Sequence, residues 1–582
     1  MLARFLTILC TLSLVGACGL ARDQGTEDGG SAAGTNTPLA LVYTLRPSPD
    51  ENGKSVLEVE LEFTGDADGE TYLYLGEPWA DQRAPHRRFR RLTAEGGELA
   101  AVEAEESYKT APVYTIKHAP GAALKISYRL HEQDNPDRLN NAGYFHSPVI
   151  SAGHMQLIGW SGLAIPRFDG TDDTLSYSAK LVWADLPEGW QSQTSRALTG
   201  PSAPAAGPFQ ASVTLAGKIE TATRAMGDKT LSVARYGAWG FSHDAFADRL
   251  GVLMTALNKA WQDAPTDYTV TLLPVPTDGS VSTITGTGLT GAFAAAASKN
   301  LSLDEMTATL THEIAHNWVP FKLGTLPERG REVYWFSEGF TEFSARTVMR
   351  EAGLMSQETF FAKVNEDLQN YYLSPARNAK VDALVDGFWT DPDIERQPYL
   401  RGFLLALNWE AEIRKHSNGT FDMGDALRAL KAKAEQAEEL PTLTPDYLSA
   451  HFSEWTGRDV AGDIARHINE GETIVPSADN LGACYELGDM PVFKYDVGFD
   501  VQATFSDGVV KGVVPGSNGQ QAGLEDGMRL IRRVSGGQGD TSGPIVIEVA
   551  EGERVFQISY LPVSGEPVIV PQFKATQTLA GC

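Results

Sequence analysis

Residues 302–319 read S-L-D-E-M-T-A-T-L-T-H-E-I-A-H-N-W-V, and residues 333–343 read V-Y-W-F-S-E-G-F-T-E-F. The first stretch opens on a Ser three residues before a Glu. That is a helix start: Ser302 can accept from the N–H of Glu305 while the Glu305 side chain returns to the N–H of Ser302. The spacing predicts an amphipathic helix running through T-A-T-L-T-H-E-I-A-H-N-W-V. On it His312 and His316 are four residues apart and share a face, so both imidazoles can reach one metal ion. Glu313 lies beside that face, where it can approach water on the metal.

A zinc ion that performs chemistry takes three protein ligands and keeps one position open. The third ligand is expected from the second stretch, which carries Glu338 and Glu342 one helical turn apart. Glu338 is read as the ligand. Glu342 is read either as a carboxylate that orients a histidine or as a solvated helix carboxylate. With one Zn2+ per chain, Glu313 is the general base, taking a proton from water and passing it to a leaving amine.

H-E-I-A-H-N-W followed by W-F-S-E-G-F resembles the gluzincin peptidases, whose third ligand is the Glu of an E-G-F segment. His316 and Glu338 are separated by 21 residues. With the modules on either side, the chain is most similar to the glycyl aminopeptidase family, over about 220–582 and in outline before that. The resemblance implies an N-terminal β domain, a thermolysin-like zinc peptidase domain and a C-terminal PDZ domain. It implies that Tyr399, in Y-L-R-G, donates to the oxyanion; the other reading is a packed aromatic at a helix start. It also aligns G-T-G-L-T-G-A-F (286–293) with a family segment whose Glu holds the substrate's ammonium. Thr290 stands in that Glu's place and Gly291 in that of the following His, which implies weak dependence on a free N-terminus. The backbone from Gly288 to Gly291 can still pair with an extended peptide. Residues 497–531 resemble a PDZ domain, with Val497, Gly498 and Phe499 as the carboxylate-binding loop and strand for a peptide C-terminus. Met528 replaces the family's usual Asp, and the module is read either as peptide-binding or as only packing.

Outward from this core, the chain has 582 residues, 42% apolar and 21% charged. That is globular composition with room for about three or four domains. A net charge of −27 makes nucleic acid an unlikely partner, because the surface repels phosphates. The expected fold is multidomain α+β. Residues 38–215 show period-two stretches, such as S-V-L-E-V-E-L-E-F (55–63) and A-L-K-I-S-Y-R-L (123–130), and read as an all-β domain. Residues 216–475 read as the mainly helical peptidase domain, 473–492 as a boundary and 490–582 as the PDZ-like β domain.

Arg4 and the apolar run after it read as a signal peptide over 1–17, too short to span a bilayer. It ends in V-G-A-C, which resembles a bacterial lipobox. Cys18 is then lipidated, residues 18–37 form a flexible tether, and the protein sits in the cell envelope, on the outer membrane facing the periplasm. The alternative is an ordinary secretory signal cut near Ala17. In an oxidising compartment Cys484 and Cys582 read as one disulfide. The expected partners are a peptide or unfolded protein as substrate, peptide C-termini at the last domain, and the membrane through its lipid. Two other functions stay open: a peptide-binding scaffold with an inactive peptidase-like domain, and a non-peptidase hydrolase such as an epoxide hydrolase of the leukotriene type.

Overall fold

A computed structural model of the chain describes residues 38–76, 85–101, 113–131, 146–168, 177–195, 211–275, 283–388, 390–537 and 539–576. The expected signal peptide and tether, with Cys18, and also Cys582 lie outside them. By compactness the chain divides between Glu328 and Arg329 into two units.

In the first unit the period-two stretches become strands. Ser55–Thr64 buries Leu57, Val59, Leu61 and Phe63, and Ala123–His131 buries Leu124, Ile126, Tyr128 and Leu130. The two pair antiparallel, with Leu57 opposite Leu130 and Val59 opposite Tyr128, so the apolar sets fall on one face. They lie within a five-stranded sheet in the order Tyr177–Trp183, Leu39–Pro49, Ser55–Thr64, Ala123–His131, Phe89–Glu95. A four-stranded sheet (Ala164–Arg167, Glu70–Leu75, Val113–His118, Gly97–Ala101) shares its core through Leu73, Leu75 and Ile116. A small sheet containing His154–Ile158 and Val213–Gly217 then packs Ile158 and Val213 against the alanines of Ala292–Ala297.

That last strand belongs to a five-stranded sheet ordered Ile219–Met226, Lys229–Tyr236, Tyr268–Pro274, Ala292–Ala297, Ile284–Leu289. Ile284–Leu289 is its terminal strand and forms a hairpin with Ala292–Ala297 through Thr290 and Gly291, whose φ is +60°. Helix Leu303–Ala315 packs against the terminal strand. It stops sooner than its apolar pattern predicts: His316 is the C-cap, and Pro320 follows, which disfavours helical backbone at the residue before it.

The second unit is helical, then β. Helices Gly339–Glu351, Gln357–Leu373, Gln397–His416, Met423–Gln436 and Pro445–Thr456 are its longest. An aromatic cluster of Trp335, Phe336, Phe340, Trp409 and Phe452 joins three of them, Gly339–Glu351, Gln397–His416 and Pro445–Thr456, with ring centroids 4.9–6.1 Å apart. A two-stranded ribbon of Tyr485–Tyr495 with Val563–Ala575 follows, so a strand begins inside the stretch read as a boundary. A three-stranded sheet, Arg529–Ser535, Ile545–Glu551 and Arg554–Tyr560, covers a core of Val497, Phe499, Val510, Leu524, Met528, Ile547 and Ile558. Met528 thus fills a core position.

The residues after Phe499 form helix Val501–Asp507. Asp500 caps it by accepting from the N–H of Ala503, and Gly508 ends it in the left-handed region at φ 74°. The architecture is an N-terminal mostly-β region, a central mainly helical region and a small C-terminal β domain. Among the described residues no helix is long and apolar enough to cross a membrane.

Candidate metal centre

The zinc helix, Leu303–Ala315, is set by its start. Ser302 accepts from the N–H of Glu305, and Glu305 Oε2 accepts from the N–H of Ser302 at 2.6 Å, the reciprocal pair expected from S-L-D-E. Asp304 and Glu305 in the first turn suit the positive end of the helix dipole. The far end carries His312 and Glu313 in the last turn and His316 as C-cap. All three are buried: His312 is 1% exposed, Glu313 0% and His316 2%. The two imidazoles stand edge to face, centroids 4.8 Å apart. His316 Nδ1 donates to the Val319 carbonyl at 2.8 Å. A carbonyl only accepts, so Nδ1 carries the proton and Nε2 is the ligand nitrogen. That anchor is backbone and has no sequence signal.

Glu338 sits where a short helical turn, Tyr334–Ser337, meets helix Gly339–Glu351. Its N–H donates to the Tyr334 carbonyl at 2.8 Å, and Ser337 Oγ donates to its Oε1 at 2.9 Å. The Ser beside the Glu in S-E-G was not singled out from sequence; its hydroxyl orients the carboxylate.

His312, His316 and Glu338 are all buried, and the ligand atoms they offer lie within 4.8 Å of one another. Two neutral imidazoles and one carboxylate match the donor set of catalytic zinc, and one ion can touch all three. The residues therefore fit Zn2+. Among the described residues no other group of His, Cys, Asp and Glu gathers in this way.

The model of the family described as M61 glycyl aminopeptidase matches residues 305–386, which include both halves of this site. No curated protein matches the sequence. Among solved structures the chain is similar to an aminopeptidase N family protein from Idiomarina loihiensis. Identity is 14%, covering 92% of this chain and 98% of that one, with a TM-score of 0.64. It is also similar to an M1 zinc metallopeptidase from Deinococcus radiodurans (17% identity, 75% and 94% covered, TM-score 0.47) and to yeast LTA4 hydrolase (15%, 76% and 68%, TM-score 0.43).

The fold is that of a gluzincin-type zinc metallopeptidase.

The other residues expected at this gluzincin-type site take the following places. Glu342 Oε1 accepts from Arg346 Nε, and the same guanidinium reaches Asp367 and lies 4.6 Å over the Phe403 ring. Burial pushes the Asp367 carboxyl up, while Arg346 beside it pulls the carboxyl down. Tyr399 is the third residue of helix Gln397–His416 and is half-buried. Gly288 lies in the terminal strand, and the N–H of Thr290 is already given to the Ala211 carbonyl at 2.9 Å. Gly286 has no room for a side chain, because a Cβ there would stand 2.1 Å from the Phe293 ring. In the last domain the Gly498 N–H donates to Asp496 Oδ1 at 2.7 Å. Cys484 is disulfide-bonded. Its expected partner, Cys582, lies outside the described residues, as does Cys18.

Proposed function

We propose that this chain hydrolyses peptide bonds as a member of the glycyl aminopeptidase group, tethered by lipid at Cys18 in the bacterial envelope. The observation that carries the peptidase reading is the convergence of His312, His316 and Glu338 beside the buried carboxylate of Glu313. A zinc ion held there supplies a polarised carbonyl and a water with a pKa near about 7. The chain's own residues do the rest. Glu313 accepts the water proton and returns it to the leaving amine. Tyr399 donates to the oxyanion as it forms. The backbone of the terminal strand Ile284–Leu289 pairs with an extended substrate. Its last carbonyls and N–H groups carry the recognition, since Thr290 has no charge for an ammonium and charge-assisted bonds are about twice as strong as neutral ones. Capture of a peptide C-terminus by the last domain would use the 497–499 loop without a following strand.

An inactive scaffold would have no reason to keep His312, Glu313, His316 and Glu338 together. The test is metal analysis of the purified chain with hydrolysis of a mixed peptide library. One bound zinc and chelator-sensitive cleavage are expected, with free and N-acetylated peptides of one sequence cut at rates within about tenfold. A zinc-loaded chain that cleaves nothing would support the scaffold instead.

A further inference from the structure

Asn317 directly follows the second histidine ligand. Its side-chain N–H groups donate to the Tyr268 hydroxyl at 2.8 Å and to the Ile314 carbonyl at 2.7 Å. Both amide hydrogens are thus engaged. The Tyr268 hydroxyl donates in turn to the Ala292 carbonyl at 3.1 Å. Ala292 is the first residue after the Thr290–Gly291 turn and pairs across the hairpin with Leu289. A chain of hydrogen bonds therefore runs from the last turn of the zinc helix, through one buried phenol, to the hairpin whose outer strand is the proposed substrate edge. The same turn is held by Thr269, which donates to the Gly291 carbonyl at 3.0 Å, and by the bond from Thr290 to Ala211.

Asn317 is half-buried. Tyr268 is 2% exposed. Burial pushes its phenol well above the usual range, the Asn317 bond pulls it down, and the charge of Glu313 pushes it up again. The phenol stays protonated, and it lies within electrostatic reach of the proposed base.

We infer that Tyr268 and Asn317 are positioning residues for hydrolysis, fixing the Leu289–Ala292 hairpin against the helix end that carries His312, Glu313 and His316. This rests on the peptidase reading given above. Losing a tie of this kind shifts substrate against base and metal and alters the angles of the ligands without removing any of them, and a displacement of about 1 Å can lower turnover on the order of a hundredfold. Asn317→Asp keeps the shape but turns a donor into an acceptor, so the phenol can no longer serve both neighbours.

The experiment compares Tyr268→Phe, Asn317→Asp and the double variant in the full chain. It reads zinc content, thermal midpoint, kcat, KM, and the visible spectrum after cobalt(II) replaces zinc. Expected are one metal per chain, KM within about threefold, and kcat lower by about tenfold or more in each single variant. The double variant should be no slower than the slower single, because one chain of bonds is broken either way. The cobalt bands should move in all three. Wild-type kcat in both singles, additive losses, or a fall in kcat matched by loss of folded protein would overturn the inference. If the wild type cleaves no peptide, the peptidase reading fails. The cobalt spectrum then decides alone: displaced bands support the tie, and unchanged bands refute it.

Discussion

Gly339 and Gly402 meet backbone to backbone. A Cβ on Gly339 would stand 2.3 Å from the Gly402 Cα, and a Cβ on Gly402 would stand 1.7 Å from the Trp335 carbonyl oxygen. Gly339 follows the ligand Glu338, and Gly402 lies three residues after Tyr399. The glycines of S-E-G-F and Y-L-R-G are therefore halves of one helix contact, which sets helix Gln397–His416 against the turn that presents the third ligand. No side chain fits between them without moving backbone.

Gly402→Ala is expected to destabilise the chain by about 1–3 kcal/mol through overpacking and to weaken metal retention. Gly462→Ala is the control, since nothing lies within 4 Å of a Cβ there. Calorimetry with metal analysis checks both. A Gly402→Ala chain as stable and as zinc-replete as the control would remove the contact from the account.

Glu338→Ala should lose zinc, whereas Glu342→Ala should keep it more weakly held. Glu338 offers a ligand atom to the site, while Glu342 Oε1 is bonded to Arg346. Partners behind the ligands change metal affinity by about 10–100-fold. Dialysis against a graded chelator measures the order, and the reverse order would show that the other carboxylate is the ligand.

Tyr399→Phe should lower kcat more than it raises KM, because an oxyanion donor acts mainly in the transition state. Steady-state kinetics on one peptide decides. A change confined to KM would make Tyr399 a substrate-packing residue.

Stability should fall on acidification through His451. Its Nε2 donates to the Ala426 carbonyl at 2.9 Å, and its Nδ1 accepts from Lys433 Nζ at 3.2 Å, so the folded chain holds the neutral ring. Burial, with Lys433 adding to it, pushes the imidazole down to about 4. The folded value lies below the unfolded one of about 6.5, so this contribution is whole above about pH 6.5 and is lost as pH falls toward 4. The slope is about 1.4 kcal/mol per pH unit at most. Urea titrations between pH 7 and pH 4 should show a steeper decline for wild type than for His451→Gln; equal slopes would contradict it.

Much of the centre was legible because its signals are local. Ser302 and Glu305, and His312 and His316, act within one or two turns, so spacing alone locates them. The stretch 286–293 was legible only through its alignment with a family segment, and the hairpin it forms with its turn at Thr290 and Gly291 was not read. Less legible were contacts closed by tertiary packing. Arg346 joins Glu342 to Asp367, 21 residues further on, and nothing near Glu342 announces it. The hydrogen bond from His316 to the Val319 carbonyl uses backbone, which has no letter in the sequence. Helix Val501–Asp507 was not read from sequence, although Asp500 at its cap and Gly508 at its stop are local signals for it.

The central claim is that His312, His316 and Glu338 hold zinc while Glu313 moves the proton. Glu313→Gln tests it most directly, with zinc content and peptide hydrolysis measured on the same preparation. The account predicts one zinc per chain, as in wild type, and turnover lower by about 10²–10⁴-fold, since the base is removed and the ligands are spared. Near-normal turnover in a zinc-loaded Glu313→Gln chain would contradict it.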